Sequence, residues 1–192
     1  MNNPFYISSH AANKLLTKQM ITTNNLANMS TIGFKAKNVL VINKLNNNSL
    51  TKYPNQQYFQ SYYDLTEGSF INTKQPLDLI IRNKGWFVVQ DKKNFKEYYT
   101  RNGHLHVNSD GYLSIQERLI LGDKGPIKLP KKTDLKITRN GDVVILKKIN
   151  NKTFEQKISK LKIAKINTNK MIQDQQGMFY TTKKISFKKY RI

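Results

Sequence analysis

The chain has no cysteine among its 192 residues, so neither a disulfide framework nor a thiolate zinc site can belong to it. Acidic residues are scarce, 12 against 33 Lys and Arg, which leaves a net charge of +21 and few carboxylates for acid–base work. No apolar run approaches the roughly 20 residues that a helix needs to cross a bilayer. The N-terminal MNNPFYISSH lacks a basic stretch followed by an apolar one, so no cleavable signal peptide is expected. A P-loop, a dinucleotide fingerprint and a nucleophile elbow are missing as well. What remains, at this length, is one or two compact units able to bury a sizeable core.

The positive charge invites a nucleic-acid reading, but its make-up argues otherwise. Of the 33 basic residues five are Arg (Arg82, Arg101, Arg118, Arg139, Arg191), which leaves 33 less 5, or 28, Lys. Arg is the side chain that reads guanine bidentately and stacks on bases. The lysines are scattered and accompanied by abundant Asn, Ile, Tyr and Phe, the composition of AT-rich codons. Nucleic acid is therefore not favoured as a partner. An anionic surface such as membrane or cell wall stays open as an alternative role.

Residues 5–29 have helical spacing: Ala12, Leu15, Leu16, Gln19, Thr22, Thr23, Leu26 and Met29 recur at steps of three and four. Pro4 precedes the run and Gly33 follows it, where a start and a stop belong. A stripe this narrow cannot stabilise a lone helix, so the helix needs a partner. Its assembly face is expected at Leu15, Gln19, Thr22, Leu26 and Met29. Asn24, Asn25 and Asn28 are suited to satisfying backbone groups near the helix end, with Gly33 and Phe34 forming the turn beyond. ITTNNLANMSTIGFKA (21–36) contains no acid, histidine or cysteine, which points to packing and away from reaction.

Residues 37–67 are rich in Asn, Gln and Tyr with weak periodicity, and predict an extended connector with a short strand at Val39–Ile42. From Gly68 to Thr182 period-two alternation with Gly turns takes over and predicts an antiparallel β domain. Leu77, Leu79 and Ile81 share a face, and Trp86, Phe87 and Val88 open a nearly continuous apolar strand. Tyr99, Leu105, Val107, Leu113 and Ile115 are expected in the same core. Gly103, Gly111 and Gly141 each follow Asn or Asp, as in tight hairpin turns.

Chemistry-bearing residues are few. His104 and His106 sit two apart on the side opposite Leu105, but His10 is the only other histidine, so a solvent-facing pair is expected and no metal or cofactor. Asp64, Glu67 and Asp78 could serve as acid and base only if one cleft gathered them. Glu67 and Asp78 flank strand starts, where acidic residues commonly cap or stabilise turns. No catalytic residue and no small-molecule substrate is expected.

Three blocks carry a family resemblance. ITTNNLANMSTIGFKA resembles the N-terminal motif of the flagellar rod and hook axial proteins. GSFINTKQPLDLIIRNKGWFVVQ (68–90) and YYTRNGHLHVNSDGYLSI (98–115) resemble that family's next two blocks, in its order. Within the family GWFVVQ, YTRNG and LGDKGPIKLP (121–130) look most like the proximal-rod basal-body subunit. The resemblance implies a structural subunit with an N-terminal assembly helix (1–36), exported without a cleaved signal. Such a subunit assembles with copies of itself and other rod subunits into a torque-transmitting periplasmic shaft, and its partners include the flagellar export apparatus. It also implies a C-terminal helix, for which KKISFKKYRI (183–192) has no helical apolar repeat. That helix is expected to be missing, leaving a basic tail; either neighbouring subunits cover the stripe, or the chain is a degenerate rod-like protein that assembles poorly and binds anionic polymer, nucleic acid or cell wall, non-specifically.

Overall fold

The computed structural model describes residues 4–45, 55–82, 84–130, 134–149, 152–166, 171–174 and 176–181. The expected basic tail at 183–192, and Thr182 of the expected last strand, lie outside them. The fold class is as the sequence predicts: mainly β, antiparallel, preceded by one helix. The chain divides into two compact units, Met1–Thr31 with Lys35–Gly68, and Ile32–Phe34 with Ser69–Ile192.

The first unit starts with α1, Pro4–Ala27. Proline is tolerated in a first turn, and no Gly or Pro interrupts the helix after it. Its first turn has no acid and its last no base, so the macrodipole gains nothing from side chains and stability must come from packing. Lys14, Ile21 and Asn25, spaced seven and four apart, form its half-buried face, and Asn28 in the following turn is half-buried too. The Lys14 ammonium lies 5.2 Å from the centre of the Phe59 ring.

Beyond the helix, residues expected to be a connector form a hairpin. Strands β1 (Lys37–Leu45) and β2 (Asn55–Tyr63) pair antiparallel without a break, from Lys37 opposite Tyr63 to Leu45 opposite Asn55. Periodicity misses this ribbon because both of its faces carry mixed polar and apolar side chains: Leu40, Val41 and Ile42 are all exposed.

The second unit is a nine-stranded antiparallel sheet beside a three-stranded one. β3 (Gly85–Gln90) is central. It pairs with β4 (Glu97–Thr100) on one side, and with β7 (Arg118–Gly122) and β12 (Ile163–Lys165) on the other. The sheet continues through β6 (Leu113–Ile115) to β5 (His106–Val107), and through β14 (Phe179–Thr181) to β13 (Met171–Gln173); β8 (Gly125–Pro126) joins β7. The smaller sheet orders β11 (Lys152–Lys160), β10 (Asp142–Ile149) and β9 (Asp134–Ile137).

Because β3 is covered on both faces, WFVV is buried throughout. Phe87 and Val89 join Leu105, Leu113, Ile115, Ile120, Val143 and Leu161 in one cluster, against which Leu77 and Leu79 pack half-buried. Trp86 meets Phe179 edge-on at 5.0 Å, and Val88 and Tyr99, paired across β3 and β4, are buried as well.

Two sequence expectations fail in this unit. Val107 is 44 % exposed, not core. Leu105 donates its N–H to Leu77 O, whereas His106 and Val107 pair with β6, so the chain changes partner between them and the alternation does not carry over. Gly103 makes no hairpin: its φ is not among the positive values, and it is held against residues 77–79, donating no room for a side chain. Gly111 (φ 80) and Gly141 (φ 75) do turn hairpins, β5–β6 and β9–β10.

Candidate assembly surface and its anchor

The stripe on α1 is presented to solvent. Leu15 and Leu26 are each 67 % exposed and Met29 is 79 % exposed; Gln19 and Thr22 are exposed as well. Met29 is not on the helix, which ends at Ala27, but in the turn that follows. At 100° per residue the other four centre about 110° away from the half-buried face of Lys14, Ile21 and Asn25. The helix thus packs on its own unit with one side and holds the apolar stripe clear of it. Thr22 returns its hydroxyl to Lys18 O at 3.0 Å, the back-bond of a threonine not otherwise engaged by side chains.

The three asparagines differ in what they do. Asn25 donates to Lys37 O at 2.9 Å and accepts from Lys37 N at 3.0 Å, so one amide engages both backbone groups of the first β1 residue. Asn28 donates its side-chain amide to Asn24 O at 3.0 Å, a carbonyl that also takes the Asn28 backbone N–H at 3.2 Å, and accepts from the Thr31 hydroxyl at 3.3 Å, so the end of the helix is tied twice to one carbonyl. Asn24 itself is exposed and contributes that carbonyl.

Next in the chain, Ile32–Phe34 belongs to the second unit, and the reason is steric. Gly33 has φ 73, and a Cβ there would stand 2.4 Å from Asn102 N and 2.5 Å from the Arg101 carbonyl carbon. Phe34 lies beside Gly177, whose own added Cβ would be 3.7 Å from the ring. The same tight stacking continues underneath: a Cβ on Gly103 would fall 1.6 Å from Leu79 O, and Gly103 O accepts from Leu79 N at 2.8 Å. Arg101 donates to Ile81 O at 3.0 Å with its guanidinium 5.2 Å from the Trp86 ring centre. The GF turn is therefore stacked on the RNG segment, which is stacked on LDL.

The titratable residues are used structurally. Asp64 accepts from Thr66 N at 2.9 Å, a bond that holds its carboxyl below the usual range. Asp78 sits low for a related reason: it accepts a hydrogen bond from Thr73 and then one from His104, whose Nδ1 is 2.6 Å away. His104 is exposed and His106 half-buried, and among the described residues no three potential ligands cluster for a metal. Asp64 and Glu67 lie in the first unit and Asp78 in the second. A cleft of about 480 Å³ in the second unit is lined by Asp91, Glu117 and Arg118, not by Asp78. Arg118 was not foreseen. Nearly buried, it donates to Asp174 at 2.7 Å and to Met178 Sδ at 2.9 Å, its guanidinium 3.6 Å from the Tyr98 ring centre. A partner 56 residues away leaves no local signal.

Comparison with known proteins matches these pieces in turn. Residues 5–35, the helix and its GF turn, fit the family described as flagella basal body rod protein. Residues 80–145 fit the flagellar hook protein FlgE/F/G D1 domain. The flagellar basal-body rod protein FlgF of Buchnera aphidicola subsp. Schizaphis graminum is 40 % identical over 191 residues, which is 100 % of this chain and 76 % of the relative. The chain belongs to the FlgF family. The FlgF proteins of Salmonella typhimurium and Escherichia coli are 32 % and 31 % identical, over 95 % and 93 % of this chain and 72 % and 71 % of their own lengths. The rod-protein match ends at residue 35, just past the turn that inserts into the second unit, and the D1 match takes in the Arg101–Gly103 segment that receives it.

Proposed function

We propose that this FlgF-family chain is a structural subunit of the flagellar basal-body rod, with no catalytic role. It incorporates by packing the Leu15, Gln19, Thr22 and Leu26 face of α1, with Met29 in the turn after it, against helices of neighbouring rod subunits and of its own copies. The observation that carries this reading is the stripe itself, apolar and exposed on a helix that already has another face packed. Charge supports it. The first unit has six Lys against two acids, net +4, so +17 of the total +21 resides in the second unit, and copies meet with least repulsion through the first. In this reading the subunit travels through the flagellar export apparatus without a cleaved signal, lodges in the periplasmic shaft, and passes torque through the stacked glycine contacts of Gly33 and Gly103. Among the described residues no helix is long and apolar enough to cross a membrane.

Peptide mass spectrometry of detergent-extracted, salt-washed basal bodies tests the proposal. The chain should be recovered with the other rod subunits, whereas Leu15→Asp and Leu26→Asp should be absent from basal bodies while the β domain keeps its thermal unfolding. Recovery of both variants at wild-type level would remove the helix face from the assembly; absence of the wild-type chain would remove the rod role.

A further inference from the structure

The β1–β2 ribbon has two edges, and they are treated differently. At the β1 edge the first residue, Lys37, already has both backbone groups taken by the Asn25 amide. A covering group is one way in which an edge is kept from pairing with other chains. β2, NQQYFQSYY, carries no charge over its nine residues, and among the described residues it has β1 on one side and no strand on the other. In a chain of net charge +21, β2 adds no charge of its own to that edge. A two-stranded ribbon is also marginal by itself in water, and a third strand would add to the support that α1 gives it.

A segment fit to supply that strand lies a few residues further on. Ser69, Phe70, Ile71, Asn72 and Thr73 are uncharged and fully on the surface, with Phe70 58 % and Ile71 77 % exposed. They are in no helix or strand, and their backbone groups make no hydrogen bond among the described residues. Backbone left unpaired beside exposed aromatic and β-branched side chains is the composition that adds to a sheet edge.

We propose that the open edge of β2 receives Ser69–Thr73 of a second copy of this chain as an added strand. The two surfaces differ, so the contact is heterologous: each copy offers one edge and one strand, and successive copies extend a chain of subunits without closing on a two-fold axis. The contact is separate from the α1 stripe and does not rest on the rod reading.

The absence of cysteine makes a direct test available in the full-length chain. Ser61→Cys on β2 and Ile71→Cys in the donor segment are both exposed positions, joined by a short bismaleimide. An equimolar mixture of the two single variants should give a covalent pair, the double variant a ladder of higher species, and neither single variant alone a product. Cross-linking in the mixture no greater than between Thr153→Cys and Ile71→Cys would overturn the proposal. So would self-cross-linking of Ser61→Cys, which would mean that two β2 edges pair with each other, or a double variant that links only within one molecule. Adding Gln60→Lys and Tyr62→Lys to Ser61→Cys should abolish the product. Leu15→Asp should leave it intact, which separates failure here from failure of the helix face.

Discussion

Gly33 and Asn102 approach so closely that no side chain fits between them, a Cβ on the glycine standing 2.4 Å from the Asn102 amide nitrogen. The atom in the way is backbone, which cannot swing aside, and φ 73 is a conformation that an L side chain resists. Gly33→Ala should therefore destabilise the chain by about 2 kcal/mol or more. Gly68→Ala meets nothing within 4 Å and should stay within about 0.5 kcal/mol of wild type. Urea denaturation of both variants decides it: equal midpoints would mean that the turn is not seated on residues 101–102.

Leu105 and Val107 show where sequence reading holds and where it stops. Alternation places them on one face, yet Leu105 is 2 % exposed and Val107 44 %. Leu105→Ala should cost about 2–5 kcal/mol, and Val107→Thr less than about 0.5 kcal/mol. A similar loss from both, measured by thermal unfolding, would restore Val107 to the core.

The same contrast runs through the fold. The helix, the WFVV strand and the Gly111 and Gly141 turns were legible because their causes are local: period, apolar run, positive φ. The β1–β2 ribbon was not, since a two-stranded ribbon exposed on both sides has no buried face to impose alternation. Gly103 was misread because Asn-Gly signals a turn equally well when the glycine is there to admit Leu79 O. Of the candidate surface, the exposed stripe could be read from spacing alone. The pairing of Asn25 with Lys37, 12 residues on, and of Arg118 with Asp174 could not, because both depend on the finished topology.

Tyr99 should make stability fall at alkaline pH. Burial pushes its phenol well above the ordinary value near 10, and the Glu97 carboxylate, 3.3 Å from the hydroxyl, adds to the shift. A folded-state pKa above the unfolded one gives stability that is complete below about pH 10. It is lost as pH rises through the folded value, because the unfolded chain releases the proton first. Tyr99→Phe cannot titrate there, so its urea midpoint should decline less between about pH 9 and 11 than that of wild type, after a loss of about 1 kcal/mol at neutral pH for the hydrogen bond. Parallel declines would sink the idea.

Asn25 holds Lys37 as a neighbouring strand would, with one donor and one acceptor from a single amide, and thereby ties the end of α1 to the start of β1. Asn25→Ala removes both bonds. The Lys37 amide should then exchange with solvent roughly tenfold faster or more, as the loss of about 1–3 kcal/mol of local stability requires. Asn25→Asp keeps an acceptor for the Lys37 N–H but turns an oxygen toward the Lys37 carbonyl, so the amide should stay partly protected while the hairpin loosens. In both variants the Val88 and Leu113 amides, deep in the second unit, should exchange at wild-type rates. If Lys37 keeps its protection in Asn25→Ala, another group holds the β1 edge. The asymmetry between the two ribbon edges would then need a different cause.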